Sequence, residues 1–195
     1  MESSSVEFFK DYIGRAQALL AGQDLSGVSR LAAEVRKAWG TGKRVYLCGN
    51  GGSAANAMHI ANDLLYGVGK GKVPGVRVTA LTADIGIVTC LANDVGYESI
   101  FSKQLEVQAS AGDVLIALSG SGNSPNILKA LQIAKELKMK TFAILGYSGG
   151  KALALADTAV HFPIHDMQIA EDMQLMVGHM IMQWLAQDPV YPVGE

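Results

Sequence analysis

Two short segments rich in glycine and serine carry residues that suit anion binding. They are Gly49-Asn50-Gly51-Gly52-Ser53 and Ser119-Gly120-Ser121-Gly122-Asn123-Ser124-Pro125. Glycine lets backbone N–H groups approach a ligand closely, and the N-terminus of a following helix adds partial positive charge and unpaired donors. In the second segment, Pro125 suits the first position of a helix capped by Ser124. The three hydroxyls of this segment, beside backbone amides, could surround a phosphate without any cation.

Ordinary tight turns before well-capped helices would explain either segment by itself. Two such segments at the ligand-binding edge of one sheet favour a phosphate site instead. Neither contains the GxGxxG pattern of dinucleotide-binding folds or the lysine of a Walker loop. The predicted ligand is therefore a phosphate ester rather than a nucleotide.

His59 and Asp63 are four residues apart in a segment that is predicted to be helical from Ser53 to Val68. This spacing places both side chains on one face of the helix. Because the helix begins at the first loop, both residues are expected near a bound ligand. A lone histidine here would be interpreted as partly buried and hydrogen-bonded, but a carboxylate one turn later favours a functional role.

His179 lies within the apolar stretch MQLMVGHMIMQWL, where a polar side chain needs a partner or water. A structural hydrogen bond to a neighbouring helix is one explanation for it. Glu171 precedes it by eight residues, which is about 12 Å along a helix axis at about 1.5 Å per residue. If both side chains bind one ion, either the start of this helix is distorted or groups from different subunits combine.

Strand-like and helical segments alternate from residue 43 onward, which predicts a parallel sheet with helices on both faces. The predicted strands are 44–48, 76–82, 113–119, 140–148 and 158–164, and the predicted helices are 53–68, 85–92, 100–110, 124–137, 149–157 and 168–187. The expected fold class is α/β, a doubly wound five-stranded parallel sheet of the flavodoxin-like type. In such sheets, ligands bind beyond the carboxyl ends of the strands, where the strand order reverses.

Two further helical segments precede the first strand, with apolar residues at helical spacing in 8–20 and 25–39. Residues 1–42 are therefore predicted to form an N-terminal helical hairpin that packs on the sheet or on a partner subunit. The sequence shows no linker or internal repeat, so residues 1–195 are predicted to form a single domain.

The chain has 195 residues, of which 49% are hydrophobic and 17% are charged, and its formal net charge is -2. This charge does not indicate a nucleic-acid partner, and the apolar excess fits a covered sheet or an oligomer subunit. The first residues lack the order of a signal peptide, and no apolar run approaches the roughly 20 residues of a membrane span, so a cytoplasmic protein is predicted. Cys48 and Cys90 lie in apolar runs and are predicted to be buried thiols rather than a disulfide.

Four motifs in succession resemble the phosphoheptose isomerases, which belong to the sugar isomerase (SIS) domain superfamily. They are GNGGSAANAMH, ANDVGYESIFSKQ, SGSGNSPNILKA and LMVGHMI. The resemblance covers nearly the whole chain, which would make it a single SIS domain. SGSGNSPN marks only the superfamily, whereas GNGGS with the following histidine and the NDVGYESIF block are more specific to this branch.

The resemblance implies a substrate site and a metal site. Sugar contacts are implied for Asn50, Gly51, Gly52, Ser53, Asn93, Asp94 and Glu171, and phosphate contacts for Ser119, Gly120, Ser121 and Ser124. Zinc, one ion per active site, is implied at His59, Asp63, Glu171 and His179. A homo-oligomer is also implied, a tetramer with active sites at its subunit interfaces.

The reaction that the resemblance implies is a ketose–aldose isomerisation through an enediol. Sedoheptulose 7-phosphate would give D-glycero-D-manno-heptose 7-phosphate, a precursor of lipopolysaccharide heptose. By family position, Asp63 is the base that removes a proton from the carbon beside the carbonyl, and His179 is the acid. A metal could stabilise the developing oxyanion.

Four positions depart from the family pattern. Asp63 replaces a glutamate, Glu171 a glutamine, Gly67 an arginine and Gly120 a residue with a hydroxyl. Two alternatives therefore stay open: an isomerase of another phosphosugar, and a non-catalytic SIS regulator that binds a replication-initiator-type protein. Retention of Asp63, Glu171 and His179 favours an enzyme, because a regulator needs no acid pair near the sugar.

Overall fold

The five predicted strands are present and form one parallel sheet. The computed structural model describes residues 2–190, with strands β1 (Val45–Cys48), β2 (Val78–Ala80), β3 (Val114–Ser119), β4 (Lys140–Leu145) and β5 (Thr158–His161). Their order across the sheet is β2-β1-β3-β4-β5, and every neighbouring pair is parallel. This is the flavodoxin-like order, so the predicted fold class is confirmed.

Eight α-helices accompany the sheet in residues 2–190. They are α1 (Glu2–Ala21), α2 (Ser26–Gly40), α3 (Gly52–Asn62), α4 (Ile85–Asp94), α5 (Ser102–Gln108), α6 (Pro125–Glu136), α7 (Ala152–Leu155) and α8 (Met167–Gln187). Helices α2, α3 and α8 cover one face of the sheet, and α5, α6 and α7 cover the other. Within this described part of the chain, every helix is too short or too polar to cross a membrane.

The central strands β1 and β3 are buried along their whole length. Alternate side chains of a strand point to opposite faces, so Val45 and Leu47 of β1 join one core and Tyr46 and Cys48 join the other. Burial on both faces explains the nearly continuous apolar sequence of these strands.

The strand order reverses between β1 and β3, which lie side by side in the middle of the sheet. The chain leaves β1 toward β2 and leaves β3 toward β4, so the two following loops diverge from one point. Cys48 pairs with Ala117 in the register of these strands. The loops that begin at Gly49 and Ser119 therefore meet at the carboxyl edge, as predicted.

The N-terminal hairpin packs on its own sheet mainly through α2. Leu31, Val35 and Trp39 of this helix are buried. Helix α1 touches the core with one side only, and its other side carries an exposed apolar stripe. The residues of this α1 stripe are Val6, Phe8, Phe9 and Ile13, between 49% and 63% exposed.

Two polar contacts tie α1 to the start of α8. Arg15 donates to Asp166 at 2.6 Å, and the hydroxyl of Tyr12 donates to Asp172. Asp166 also caps α8, because its carboxylate accepts from the backbone N–H of Ile169 at 3.1 Å. The bond from Arg15, and then the bond from Ile169, hold the pKa of Asp166 below its ordinary value. Burial and the contact with Asp172 raise the pKa of Tyr12 to about 12.

The predicted helix 53–68 is interrupted at Asp63. Helix α3 ends at Asn62 and continues as a π-helical turn over Asp63–Gly67, in which the N–H of Val68 donates to the carbonyl of Asp63 at 3.0 Å. A π turn changes the direction of the side chains that follow and is frequent at functional sites. Its apolar pattern differs little from that of an α-helix, so the sequence does not reveal it.

Helix α4 differs from the prediction in length and in burial. It extends to Asp94, so Asn93 and Asp94 belong to its last turn and not to a loop. Cys90 is exposed, which makes the prediction of a buried thiol wrong for this residue. The reason is that α4 packs on the core only through the partly buried Val88, Leu91 and Ala92.

The prediction for Cys48 is confirmed, and neither cysteine forms a disulfide in the described structure. Cys48 lies in β1 between the two helical layers and has no exposed surface. Burial raises the pKa of its thiol to about 12, so the thiol stays protonated and serves as a small apolar side chain.

Loss of the Asp166 carboxylate should destabilise the fold in a pH-dependent way. Asp166→Ala is expected to lower the free energy of unfolding by about 1–2 kcal/mol, because it removes a helix cap and an ion pair. The stabilisation is complete above the unfolded-state pKa of about 3.9 and is lost as the pH falls through the lower pKa of the folded state. Urea denaturation at about pH 7 and about pH 3 measures both effects.

Asp188→Ala is the matched control for this measurement. Asp188 also pairs with an arginine, Arg36 at 2.5 Å, but its side chain is 79% exposed. Exposed ion pairs contribute about 0–1 kcal/mol, so this variant should lose less stability than Asp166→Ala. An equal loss in both variants, or an Asp166→Ala effect that does not shrink at low pH, would contradict the assignment.

Candidate active site

A cavity of about 270 Å³ opens at the carboxyl edge of the sheet, where the strand order reverses. We call it the edge cavity. It is lined by Asn50, Gly51, Gly52, Ser53, Leu118, Ser119, Gly120, Ser121, Ser124, Met167 and Glu171. The structure thus brings together every predicted substrate-contact residue except Asn93 and Asp94.

The hydroxyls of the second loop keep protons to donate. Ser119 Oγ accepts from the backbone N–H of Gly122 at 3.0 Å, and Ser121 Oγ accepts from that of Asn123 at 3.3 Å. A hydroxyl that accepts such a bond still has its own proton for a ligand oxygen. Ser124 is the N-cap residue of α6, as predicted, but its side chain makes no capping bond. Three hydroxyls at the N-terminus of a helix form an anion-binding site made of uncharged donors.

Glu171 places a carboxylate in the same cavity, beside the first loop. A Cβ built on Gly52 would overlap this carboxylate, so only glycine lets the acid come so close to the N-terminus of α3. The free amides and partial positive charge of a helix N-terminus stabilise a carboxylate. Among the residues that the structure describes, no lysine or arginine lines the cavity. The carboxylate of Glu171 therefore lies at the N-terminus of α3, and the second loop remains available to an anionic ligand.

Asn50 and Asn126 join the two loops by reciprocal amide hydrogen bonds. Asn50 Nδ2 donates to Asn126 Oδ1 at 2.9 Å, and Asn126 Nδ2 donates to Asn50 Oδ1 at 2.8 Å. Tyr97 Oη donates to Asn50 Oδ1 at 3.1 Å. Because Asn126 is buried, the pair fixes the side chain of Asn50 before any ligand binds. The sequence patterns do not predict Asn126 or Tyr97 as site residues, although both lie within the quoted motifs SGSGNSPN and ANDVGYES.

His59, Asp63 and His179 form a second polar cluster between α3 and α8, which we call the histidine cluster. Nε2 of His59 lies 3.0 Å from Nε2 of His179, and Asp63 Oδ2 lies 3.5 Å and 3.6 Å from these nitrogens. The Asp63 side chain is 16% exposed, whereas those of His59 and His179 are 49% and 40% exposed. The predicted pairing of His59 with Asp63 is present, and the imidazoles form the open side of the cluster.

The donor atoms of the histidine cluster suit a small transition-metal ion. Two imidazole nitrogens and one carboxylate oxygen are common zinc ligands, and a tetrahedral ion with bonds of about 2.0–2.1 Å separates its ligands by about 3.3 Å. The three separations in the cluster lie between 3.0 Å and 3.6 Å. The cluster therefore fits a metal ion and leaves room for a further ligand.

Glu171 does not join the histidine cluster within one protomer, because the described side chains that could share an ion are His59, Asp63 and His179. Helix α8 is continuous from Met167 to Gln187, so Glu171 and His179 remain about 12 Å apart along its axis. Of the two explanations given for this spacing, distortion of the helix is excluded.

Asn93 and Asp94 stay outside the edge cavity of their own protomer. They lie at the exposed end of α4, where Asn93 Nδ2 donates to Asp94 Oδ1 at 2.8 Å and Cys90 Sγ lies 3.5 Å from Asp94 Oδ2. Their implied contact with the sugar stays a prediction.

Comparison with known proteins relates this geometry to a family of enzymes. The SIS domain matches residues 7–146. The phosphoheptose isomerase of Akkermansia muciniphila is 37% identical over 176 residues, which are 89% of each chain. That of Aliarcobacter butzleri is 39% identical over 163 residues, which are 83% of each chain.

Solved structures agree with these sequence relatives. The phosphoheptose isomerase of Neisseria gonorrhoeae superposes with a TM-score of 0.86 at 27% identity, over 95% of this chain and 98% of that one. The enzyme from Francisella tularensis gives a TM-score of 0.88 at 25% identity, over 96% and 100% of the two chains. The similarity thus includes the sheet, both loops and the N-terminal helices, and the chain belongs to the phosphoheptose isomerase family of SIS-domain proteins.

Proposed function

We propose that this protein is a phosphosugar isomerase that converts sedoheptulose 7-phosphate to D-glycero-D-manno-heptose 7-phosphate. The observation that carries the proposal is the Asp63 carboxylate, which lies within 3.6 Å of two imidazole nitrogens. A carboxylate in this position can take a proton from carbon while a neighbouring imidazole exchanges a proton with oxygen. Sequence relatives and solved structures named phosphoheptose isomerase support the substrate.

We assign the phosphate of the substrate to the second loop. Ser119, Ser121 and Ser124 offer hydroxyl donors there, beside the N-terminus of α6. Glu171 lines the same cavity, where its carboxylate repels phosphate but can accept hydrogen bonds from neutral sugar hydroxyls. We therefore assign the phosphate to the second loop and the sugar hydroxyls to Glu171.

Isomerisation needs two exchanges of protons, which we assign to the histidine cluster. Asp63 removes a proton from C1 of the ketose, the electron pair forms the C1=C2 bond, and His179 protonates the former carbonyl oxygen to give the enediol. Asp63 then returns its proton to C2, and the hydroxyl proton on O1 passes to His179 as the aldehyde forms. The product has the same atoms as the substrate, and both side chains regain their starting protonation.

A zinc ion is the cofactor that we propose for the histidine cluster. His59, Asp63 and His179 would hold it through the donor atoms whose separations fit such an ion. When bound, zinc would occupy the His179 Nε2 atom in place of the acidic proton and would supply Lewis-acid polarisation of the sugar oxygens. The implied fourth ligand, Glu171, would have to come from a different subunit, because α8 separates it from His179 by about 12 Å.

We infer that complete active sites form between subunits of a homo-oligomer, which we propose to be a tetramer. The division of the site between the edge cavity and the histidine cluster of one protomer supports this inference. Exposed apolar side chains on three helices also support it, because a stable oligomer buries such surface. They are the α1 stripe, Ile85 on α4, and Met176, Met180 and Trp184 on α8.

The cytoplasmic location expected from the sequence stays a prediction. Cys48 and Cys90 are both free thiols in the structure. Free thiols are typical of a reducing compartment, and they support the cytoplasm as the location that we propose.

Isomerase activity can be followed by NMR in deuterated water with sedoheptulose 7-phosphate as substrate. The wild-type protein should form the aldose and incorporate deuterium at the carbon that Asp63 protonates. Asp63→Asn should lower the rate by about 10²–10⁴-fold, because the amide cannot act as a base. Asp188→Asn makes the same chemical change at a 79% exposed site and should leave the rate unchanged.

Each alternative has its own outcome in this assay. Equal rates for wild type and Asp63→Asn would refute the assigned base. Absence of both deuterium and aldose, with and without added zinc, would refute the proposed reaction. Tight binding of the phosphosugar without turnover would favour the regulator, and turnover of a different phosphosugar would favour an isomerase of another substrate.

Zinc binding can be measured by calorimetry on protein first treated with a chelator. His59→Ala and His179→Ala should each weaken zinc binding by at least about tenfold, because each removes a nitrogen ligand. The control is His161→Ala, whose imidazole contacts the carbonyl of Tyr147 at 3.0 Å and lies outside the cluster. Unchanged zinc affinity in both cluster variants would contradict the metal site, and unchanged affinity in Glu171→Ala would remove Glu171 from it.

The oligomeric state can be measured by light scattering after size-exclusion chromatography. The wild-type protein should have about four times the mass of one chain. Exchange of both Phe9 and Ile13 for serine should shift the mass toward smaller species, since it places hydroxyls on the α1 stripe. Leu153→Ser changes an exposed leucine on α7, on the other face of the sheet, and serves as the control. A monomeric wild type would contradict the proposal.

A further inference from the structure

Gly120 separates two of the serine hydroxyls in the second loop, which we assign to phosphate and call the phosphate loop, and the end of the Met167 side chain lies where a side chain at this position would begin. The φ angle of Gly120 is outside the left-handed region, so its backbone conformation does not require glycine. A Cβ built on Gly120 would lie 2.6 Å from Met167 Sδ and 3.1 Å from Met167 Cε. The end of the Met167 side chain would therefore have to move to admit a side chain at position 120.

The backbone of Met167 is held firmly, although its side chain is flexible. Met167 is the first residue of α8, directly after Asp166, which caps the helix at Ile169 and bonds to Arg15. Its side chain crosses toward the phosphate loop and lines the edge cavity beside Ser119 and Ser121. The α1–α8 contact therefore fixes the point from which the thioether reaches the phosphate loop.

We propose that Met167 and Gly120 form a specificity-determining pair at the phosphate site of Ser119, Ser121 and Ser124. The inference rests on the proposed function of the edge cavity as a phosphosugar site. Met167 puts an apolar, polarizable wall where a hydroxyl donor at position 120 would otherwise stand. The three serine hydroxyls hold the phosphate, and the thioether packs against the carbon chain of the sugar next to the ester oxygen. The protein therefore discriminates among phosphate monoesters less by contacts with the phosphate and more by contacts with the carbon chain of the sugar.

The pair predicts that a hydroxyl added at position 120 helps phosphate binding only when Met167 is truncated. In Gly120→Ser alone, the new side chain must push the thioether aside, which offsets the added donor. In Gly120→Ser with Met167→Ala, the hydroxyl fits and donates to phosphate. In calorimetry, the double variant should bind inorganic phosphate at least about fivefold more tightly than Met167→Ala does. Gly120→Ser alone should bind inorganic phosphate about as tightly as the wild type.

Two ligands separate the contribution of the wall from that of the hydroxyls. Met167→Ala should weaken binding of sedoheptulose 7-phosphate by roughly three- to tenfold, because the carbon chain loses its apolar contact. Binding of inorganic phosphate should change by less than about twofold, because the three serine hydroxyls remain. Equal changes for both ligands would overturn the assignment of Met167 to the sugar chain.

Met176→Ala is the matched control. Met176 lies on the same helix and is 38% exposed, against 37% for Met167, but it lies outside the edge cavity. Gly120→Ser should have the same effect in the Met176→Ala background as in the wild type. The pair would be overturned if Gly120→Ser changed the phosphate affinity by the same factor in the Met167→Ala background as in the wild type.

Calorimetry keeps this inference separate from the proposed reaction, because binding needs no turnover. A protein that shows the coupling but makes no aldose would refute the isomerase and leave the pair intact. A protein that makes aldose without the coupling would refute the pair alone. A wild type that binds neither inorganic phosphate nor sedoheptulose 7-phosphate would overturn both.

Discussion

The packing of α8 against α3 is the contact on which both parts of the site depend. Helix α8 brings Glu171 to the edge cavity and His179 to the histidine cluster, whereas α3 begins at the first loop and ends at the cluster. Asn56 of α3 fastens the two helices, because its amide donates to the carbonyl of Glu171 at 2.9 Å and to Gln174 Oε1 at 3.2 Å. Since packed helices move as rigid elements, a shift of α8 would displace the cavity wall and the imidazole together.

The two helix N-termini at the edge cavity divide the binding of anions between them. The N-terminus of α3 is taken by the protein's own carboxylate, Glu171, which Gly52 admits to close range. The N-terminus of α6 has three serine hydroxyls and no carboxylate among the side chains that line the cavity beside it. In the site that we propose, a phosphate at α6 meets neutral hydroxyl donors, and Glu171 is left for the hydroxyls of a sugar. The proposed phosphosugar site thus has no lysine or arginine in its described lining.

Most of the fold could be predicted from the sequence, because strands buried on both faces leave continuous apolar runs and the loops between them follow from the topology. The placement of Ser119, Ser121 and Ser124 at the cavity was predictable on the same grounds, whereas that of Glu171 followed only from the resemblance to the family. The π turn at Asp63 was not, since it differs from an α-helix by one residue in its hydrogen bonds. Tertiary contacts such as the Met167 thioether over Gly120 or the amide pair of Asn50 and Asn126 have no signature in local spacing. The exposure of α4 could not be predicted either, because an apolar helix looks the same whether its own fold or another subunit covers it.

The departures from the family pattern mostly have a counterpart elsewhere in the structure. The thioether of Met167 fills the space beside Gly120, and the N-terminus of α3 stabilises the extra charge of Glu171. Asp63 is one methylene shorter than glutamate but still lies within 3.6 Å of both imidazoles. Nothing in the structure explains Gly67, where a Cβ would make only ordinary contacts at 3.7 Å and 3.9 Å. Two of the four departures thus have a neighbouring group that accommodates them, and Asp63 keeps its contact with both imidazoles, which favours an isomerase over a regulator that keeps only the fold.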